Sequence, residues 1–229
     1  MTSLFSIFLS NGSVAFDIGA YGGERTDMFL ALGCSRVVAV EAVVEYASDL
    51  RKKYVEDGRV VVVGKAAGAQ NGMGILKRHR IFWPNGQPMM SACSSMSKEW
   101  VADAAECGMP PSDWSEDEPV EIVTLDTLIS EYGEPDFIKI DVEGWEQEVL
   151  KGLTRPVKAL SFEFHTVYKF NWTEEAADRL VSLGSYEFNY GAWNDLELVS
   201  PTWLDKEELF SRLRGQVLWG DIYARVKVA

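Results

Sequence analysis

The sequence predicts an α/β fold with a doubly wound, mostly parallel sheet. Three observations carry that reading. Short apolar β-type runs alternate with helix-period runs, the pattern of a parallel sheet covered on both faces. The first apolar run, Val14-Ala15-Phe16, passes through a glycine-rich turn, Asp17-Ile18-Gly19-Ala20-Tyr21-Gly22-Gly23, into a helix-like run from Glu24 to Leu32. Gly33, Gly58, Gly133, Gly152 and Gly184 stand where helices should stop.

Taken in order, the apolar patch from Leu4 to Leu9 is an initial helix or strand that packs on the sheet. It is short and lacks a basic n-region, so no signal peptide is expected. The strand over 13–18 is followed by a helix over 23–32, closed by Gly33. The strand over 36–41 leads to a helix over 43–56, and Gly58 separates that helix from a strand over 59–63. Beyond residue 120 the alternation resumes: helix 126–132, strand 136–141, helix 145–152, strand 158–164, helix 173–183 and strand 186–190. A last strand over 217–226 is long enough to insert antiparallel beside its neighbour.

Residues 64–120 break this rhythm. They read as glycine-rich turns, a hairpin around Ile75 to Trp83, and a polar stretch with Pro84, Pro88, Pro110, Pro111 and Pro119. Met89-Met90-Ser91-Ala92-Cys93-Ser94-Ser95-Met96 lies inside it. So long an excursion in a compact domain is expected to be a lid or binding loop. The whole, residues 1–229, reads as one domain with the lid at about 72–119.

Composition narrows the function classes. A net charge of −13 disfavours a nucleic-acid substrate, because phosphate binding needs a basic surface. The basic clusters Arg51-Lys52-Lys53 and Lys77-Arg78-His79-Arg80 are short, as on a solvated helix face or hairpin edge. No apolar run approaches the roughly 20 residues needed to span a bilayer. Cys34, Cys93 and Cys107 have no metal-ligand spacing, which fits a reducing cytoplasm and no metal centre.

Two constellations carry chemistry. In the first, the glycines of the turn let backbone approach a ligand closely. Glu41, closing Val37-Val38-Ala39-Val40, is placed to accept hydrogen bonds from two ribose hydroxyls. The order D-x-G-x-x-x-G differs from the G-x-G-x-x-G that brings helix N–H groups to a pyrophosphate. An acid at Asp17 suits a ligand with a positive amino group, such as S-adenosylmethionine. Tyr21 and Thr26 belong to the same candidate cofactor-binding run as Asp17, Gly19 and Gly23.

In the second, a buried strand runs into carboxylates: Asp136-Phe137-Ile138-Lys139-Ile140-Asp141-Val142-Glu143-Gly144. If the strand persists, Lys139, Asp141 and Glu143 share a face, and Glu163 and His165 share one on the next strand. Ligands of open α/β sheets bind outside the carboxyl ends of strands, the rim that also holds Gly19 and Glu41. Each residue has a plainer role available: Lys139 as ion-pair partner of Asp17 or Glu163, Asp141 as a helix cap, Glu143 at a helix N-terminus, His165 as a satisfied hydrogen-bonding group. Buried charges are costly unless paired or functional, which favours a site.

Together these runs resemble the FkbM family of S-adenosylmethionine-dependent methyltransferases. The resemblance rests on Asp17 to Thr26, Val38-Ala39-Val40-Glu41-Ala42, Thr124-Leu125-Asp126-Thr127-Leu128, Ile138 to Glu146, Val149-Leu150-Lys151-Gly152 and Phe162-Glu163-Phe164. It spans about residues 13–165, while Trp193 to Gly215 matches no pattern. It implies a seven-stranded class I methyltransferase sheet with the last strand antiparallel, and methyl transfer to a hydroxyl on a sugar or polyketide-type product. It also implies that Asp17, Gly19 and Gly23 form the cofactor turn, that Glu41 holds the ribose, and that Asp141 and Glu143 stand at the cofactor–substrate junction.

A hydroxyl acceptor needs its proton removed, and His165 suits that base because an unperturbed imidazole titrates near neutrality. Asp141 is the competing base and Glu163 the third catalytic candidate. Magnesium assistance through Asp141, Glu143 and Glu163 ranks behind both. Eight tryptophans, Trp83, Trp100, Trp114, Trp172 and Trp193 among them, offer aromatic faces to a small-molecule acceptor. A sugar and a secondary-metabolite acceptor are equally compatible. The rival classes are an NAD-dependent oxidoreductase and a non-catalytic nucleotide-binding homologue.

Overall fold

The computed structural model describes residues 4–82, 88–89, 91–106, 113–167, 169–192, 197–216 and 218–227. A seven-stranded sheet runs through it. Its strands are β1 (Val14–Ile18), β2 (Arg36–Val40), β3 (Val60–Val63), β8 (Phe137–Ile140), β9 (Ala159–His165), β10 (Tyr186–Ala192) and β11 (Trp219–Val226). Their spatial order is β10-β11-β9-β8-β1-β2-β3. The pairings β8–β9, β8–β1, β1–β2 and β2–β3 are parallel, and β11 is antiparallel to both neighbours.

Strand periodicity of two sorts the side chains. Phe16, Ile18, Val38, Val40, Ile138, Ile140, Leu160 and Phe162 face one core. That core also takes residues of α4 (Leu125–Tyr132), α5 (Glu146–Lys151), α6 (Phe170–Leu183) and α7 (Lys206–Leu213). On the opposite face Ala15, Val37, Phe137 and Ala159 meet Leu4, Phe5 and Leu9 near the chain start and Phe29 of α1 (Glu24–Ala31). Leu4–Ile7 is a 3-10 turn. Covering both faces is why these strands read as continuous apolar runs. The helix α2 (Val44–Lys53) ends in Arg51, Lys52 and Lys53, where positive charge suits the dipole.

The excursion is more ordered than its composition suggests. β4 (Ala66–Ala67), β5 (Gly72–Phe82), β6 (Pro88–Met89) and β7 (Asp113–Val123) form a second sheet in the order β4-β7-β5-β6. The hairpin expected around residues 75–83 is present only as the short antiparallel pairing of Ile81 and Phe82 with β6, and the long partner of β5 is β7, from the polar proline-containing stretch. Charge explains the pairing. Lys77 meets Asp117 directly opposite, while Arg78 meets Glu118 and Arg80 meets Glu116 on the diagonal, both at 2.5 Å, so the basic cluster is matched by acids across the strands. Arg78 is almost fully buried and also reaches Glu45 at 2.7 Å. α3 (Lys98–Glu106) completes the insertion. Trp83, Pro84, Met90, Cys107, Pro110, Pro111 and Trp193 lie outside the described residues. The unpatterned stretch before Gly215 contains α7, which opens on an Asp205–Glu208 capping box. Among the described residues no helix is long and apolar enough to cross a membrane.

Candidate active site

The ends of β1, β2, β8 and β9 open on a cavity of about 670 Å³. It lies within the roughly 300–1,000 Å³ common for ligand pockets. Gly19, Tyr21, Glu41, Asp141, Glu143, Glu163 and His165 all line it. Gly19 is required at the turn: its φ is +85°, and a Cβ there would stand 1.7 Å from the Asp141 carbonyl oxygen. Glu41 is buried, and its two carboxylate oxygens accept from the Tyr21 N–H at 2.8 Å and the Val43 N–H at 2.7 Å. Burial pushes its pKa up to about 7 against those two donors. Val43, Ala66 and Leu76 provide an apolar wall beside it.

Asp17, Gly23 and Thr26 lie behind the turn and do not line the cavity. The Asp17 carboxyl is 1% exposed and accepts from Thr26 Oγ1 at 2.6 Å. Burial raises its pKa to about 6. The expected contact between Asp17 and a ligand's amino group is therefore replaced by an internal bond that ties β1 to α1. Gly23 has φ +83°, and a Cβ there would reach the Tyr54 hydroxyl at 2.5 Å.

The strand β8 ends at Ile140, so Glu143 does not share a face with Lys139 by strand periodicity. A turn brings it in instead. Glu143 has φ +56°, its carbonyl accepts from Ser95 Oγ at 2.6 Å, and Gly144 is pressed against Trp100. Glu146, 7% exposed, accepts from the N–H groups of Val142 at 3.1 Å and Gly144 at 3.3 Å, which closes the turn. Burial raises Glu146 to about 7.

Lys139 pairs with neither expected partner. It is 1% exposed and donates to Asp221 of β11 at 2.8 Å and Asp141 at 3.1 Å. Burial disfavours its charge, yet Asp141 and Asp221 outweigh burial and its pKa is raised. His165 Nε2 stands 3.6 Å from Glu163 Oε1. Burial pulls the imidazole down, but Glu163, Glu146 and Asp141 more than offset it and raise its pKa. Glu163 is raised by burial and by Asp141, and Glu143 is raised by burial, Glu163, Asp141 and Glu146. Carboxyl oxygens of Asp141, Glu143 and Glu163 lie within 4.8 Å of one another. Such hard oxygen donors suit a cation, organic or divalent.

The insertion supplies part of the cavity wall. Cys93, Met96 and Trp100 face in, and Tyr46 holds the segment by exchanging hydrogen bonds with the Ser91 backbone at 2.9 and 3.1 Å. Burial pushes the Cys93 thiol up to about 12. Trp219 of β11, half-exposed, lines the mouth beside His165. Asp221 carried a signal in the sequence: an acid inside an apolar strand, the logic that singled out Glu163.

The sheet order and its antiparallel last strand are those of the Rossmann-like class I methyltransferase fold. Residues 17–193 match the methyltransferase FkbM domain, and the chain belongs to that family. A comparison with curated proteins finds no match. Among solved structures, the methyltransferase FkbM from Methylobacillus flagellatus superposes with a TM-score of 0.54 at 17% identity, covering 94% of this chain and 44% of that one. Precorrin-6y C5,15-methyltransferase from Geobacter metallireducens gives 0.49 at 13% identity over 98% and 85% of the two chains. An S-adenosylmethionine-dependent O-methyltransferase from Thermotoga maritima gives 0.44 at 13% over 99% and 63%. The chain thus spans less than half of the Methylobacillus protein, and the likeness at these identities is one of fold.

Proposed function

We propose that this cavity binds S-adenosylmethionine and that the chain, acting as one domain over its 229 residues, methylates a hydroxyl oxygen of a sugar or secondary-metabolite acceptor. The observation that carries the reading is the pairing of Gly19 and Glu41 at adjacent strand ends of one cavity. The donor set fits: Glu41 for the ribose, Val43, Ala66 and Leu76 for an adenine ring, and the Gly19–Tyr21 turn for close backbone approach. Asp17, Gly23 and Thr26 shape that turn from behind. Free Cys34 and Cys93 support a cytoplasmic setting.

When bound, the cofactor supplies a methyl group already activated by its sulfonium. The protein's part is alignment and proton removal. His165 takes the acceptor's proton, and Glu163, at 3.6 Å, steadies the resulting imidazolium. Asp141, held by Lys139, orients the acceptor or replaces His165 as base. The walls of Trp100, Trp145 and Trp219 give the acceptor aromatic faces.

Calorimetric titration with S-adenosylmethionine and NADH tests the cofactor. Binding of NADH alone would move the chain to the oxidoreductase class. Binding of S-adenosylmethionine, with no methyl transfer to any member of a hydroxylated acceptor panel, would favour the non-catalytic homologue.

A further inference from the structure

At the ends of β8 and β9 the cavity gathers more carboxyls than the neighbouring cations pair with. Lys139 is shared between Asp141 and Asp221, and His165 stands beside Glu163. Among the described residues no lysine, arginine or histidine pairs with Glu143, although carboxyl oxygens of Asp141 and Glu163 lie within 4.8 Å of its own. Glu163 Oε2 is buried without a hydrogen-bond partner among the described residues. The backbone at Glu143 is fixed. Its left-handed conformation is pinned by Ser95 Oγ, and the next residue is wedged against Trp100. A non-glycine residue persists in that conformation only where its surroundings fix it.

The place of this charge matters. Glu41, Gly19 and Asp141 follow the neighbouring strands β2, β1 and β8. Strands lie about 4.8 Å apart. A nucleoside seated on Glu41 therefore carries its 5′ substituent over Gly19 and up to the Asp141–Glu143 turn.

We propose that Glu143 is the group by which the cavity distinguishes the charged methyl donor from its spent product. The inference rests on the cofactor reading above. The sulfonium of S-adenosylmethionine meets the three carboxyls and favours the ionised forms of Glu143 and Glu163, which burial and mutual repulsion otherwise disfavour. Methyl transfer breaks the carbon–sulfur bond and leaves the electron pair on sulfur, so the thioether of S-adenosylhomocysteine is neutral. The acceptor's proton departs to the base. The carboxyls then face one another again, which favours product release. In a partly desolvated cavity such a charge difference is felt strongly.

The test is calorimetry on the whole chain with three probes: S-adenosylmethionine, S-adenosylhomocysteine and sinefungin, whose amine carries positive charge at the sulfonium's place. Both cations are expected to bind about tenfold or more tighter than S-adenosylhomocysteine. Glu143→Gln should bring the three to similar affinity while leaving S-adenosylhomocysteine binding unchanged. Should that variant melt early, Glu163→Gln is expected to narrow the preference in the same direction. Equal affinities in the wild type, or tighter S-adenosylhomocysteine, overturn the inference and leave the cofactor reading standing. Failure of all three probes to bind overturns both. A preference that requires magnesium and vanishes in EDTA assigns the carboxyls to a metal ion and also overturns the inference.

Discussion

Glu41 does two jobs with one carboxylate. It ties the glycine turn to the start of α2 through the Tyr21 and Val43 amides, and it faces the cavity. Glu41→Ala is expected to weaken S-adenosylmethionine binding by about 1–3 kcal/mol, the range for buried polar partners left unmade. Titration calorimetry with a parallel melting curve measures it, and unchanged affinity in a folded variant would put the ribose elsewhere. His165 is the second residue of consequence. His165→Ala should lower turnover by roughly 10²–10⁴-fold with little change in cofactor affinity. Because its neighbours raise the imidazole's pKa, the wild-type rate should climb with pH through an inflection above the ordinary histidine value of 6.5. The variant should lose that inflection, and if it keeps both the rate and the inflection, Asp141 is the base.

At the scale of elements, the β5–β7 ladder decides how the insertion sits. β7 reads as loop by propensity, with three acids and a proline in the run Trp114-Ser115-Glu116-Asp117-Glu118-Pro119. It is a strand because Lys77, Arg78 and Arg80 form ion pairs with those acids across the ladder. Local propensity yields here to cross-strand charge. Glu118→Gln removes a charged hydrogen bond to almost fully buried Arg78 and should cost about 1.5–3 kcal/mol in chemical denaturation. Glu116→Gln, on an exposed pair, should change stability by less than about 1 kcal/mol. Equal effects would mean that burial of Arg78 is not what makes the first pair matter. The strands of the main sheet and its helices other than α7 were legible to within a residue or two at most ends, because glycine stops and apolar periodicity are local signals. The second sheet was not, because its signal is complementarity between segments some forty residues apart.

At the scale of the whole molecule, carboxyls buried in one region bias the response to pH. Asp17 is raised from 3.8 to about 6, and Glu41 and Glu146 from 4.5 to about 7. The folded state therefore binds more protons than the unfolded chain between roughly pH 4 and pH 7, so these groups withdraw stability as pH rises through that window. His165, raised above 6.5, acts in the same sense: its contribution is present below that value and lost as pH climbs through the raised one. The net charge of −13 adds self-repulsion at neutrality. Thermal melts should show a higher melting temperature near pH 5.5 than near pH 7.5. A melting temperature that rises steadily across that interval would contradict the sign.

The sequence by itself determined the chemistry of the rim: a glycine at Gly19 that no other residue replaces, an acid at Glu41 after the next strand, and acids and a histidine ending β8 and β9. Those are requirements of backbone conformation and strand polarity, and both are written locally. Only the tertiary structure decided which groups meet. Lys139 finds Asp221 because β11 enters antiparallel beside β9, a register no local pattern encodes. Asp17 turns inward because Thr26 of α1 passes over it. Glu143 joins the cluster because Ser95 and Trp100, carried in by an insertion forty-odd residues earlier, hold a turn that strand periodicity alone would not have placed there. Contacts of that kind are fixed by packing between distant segments, so their energy belongs to the fold and not to any stretch of sequence.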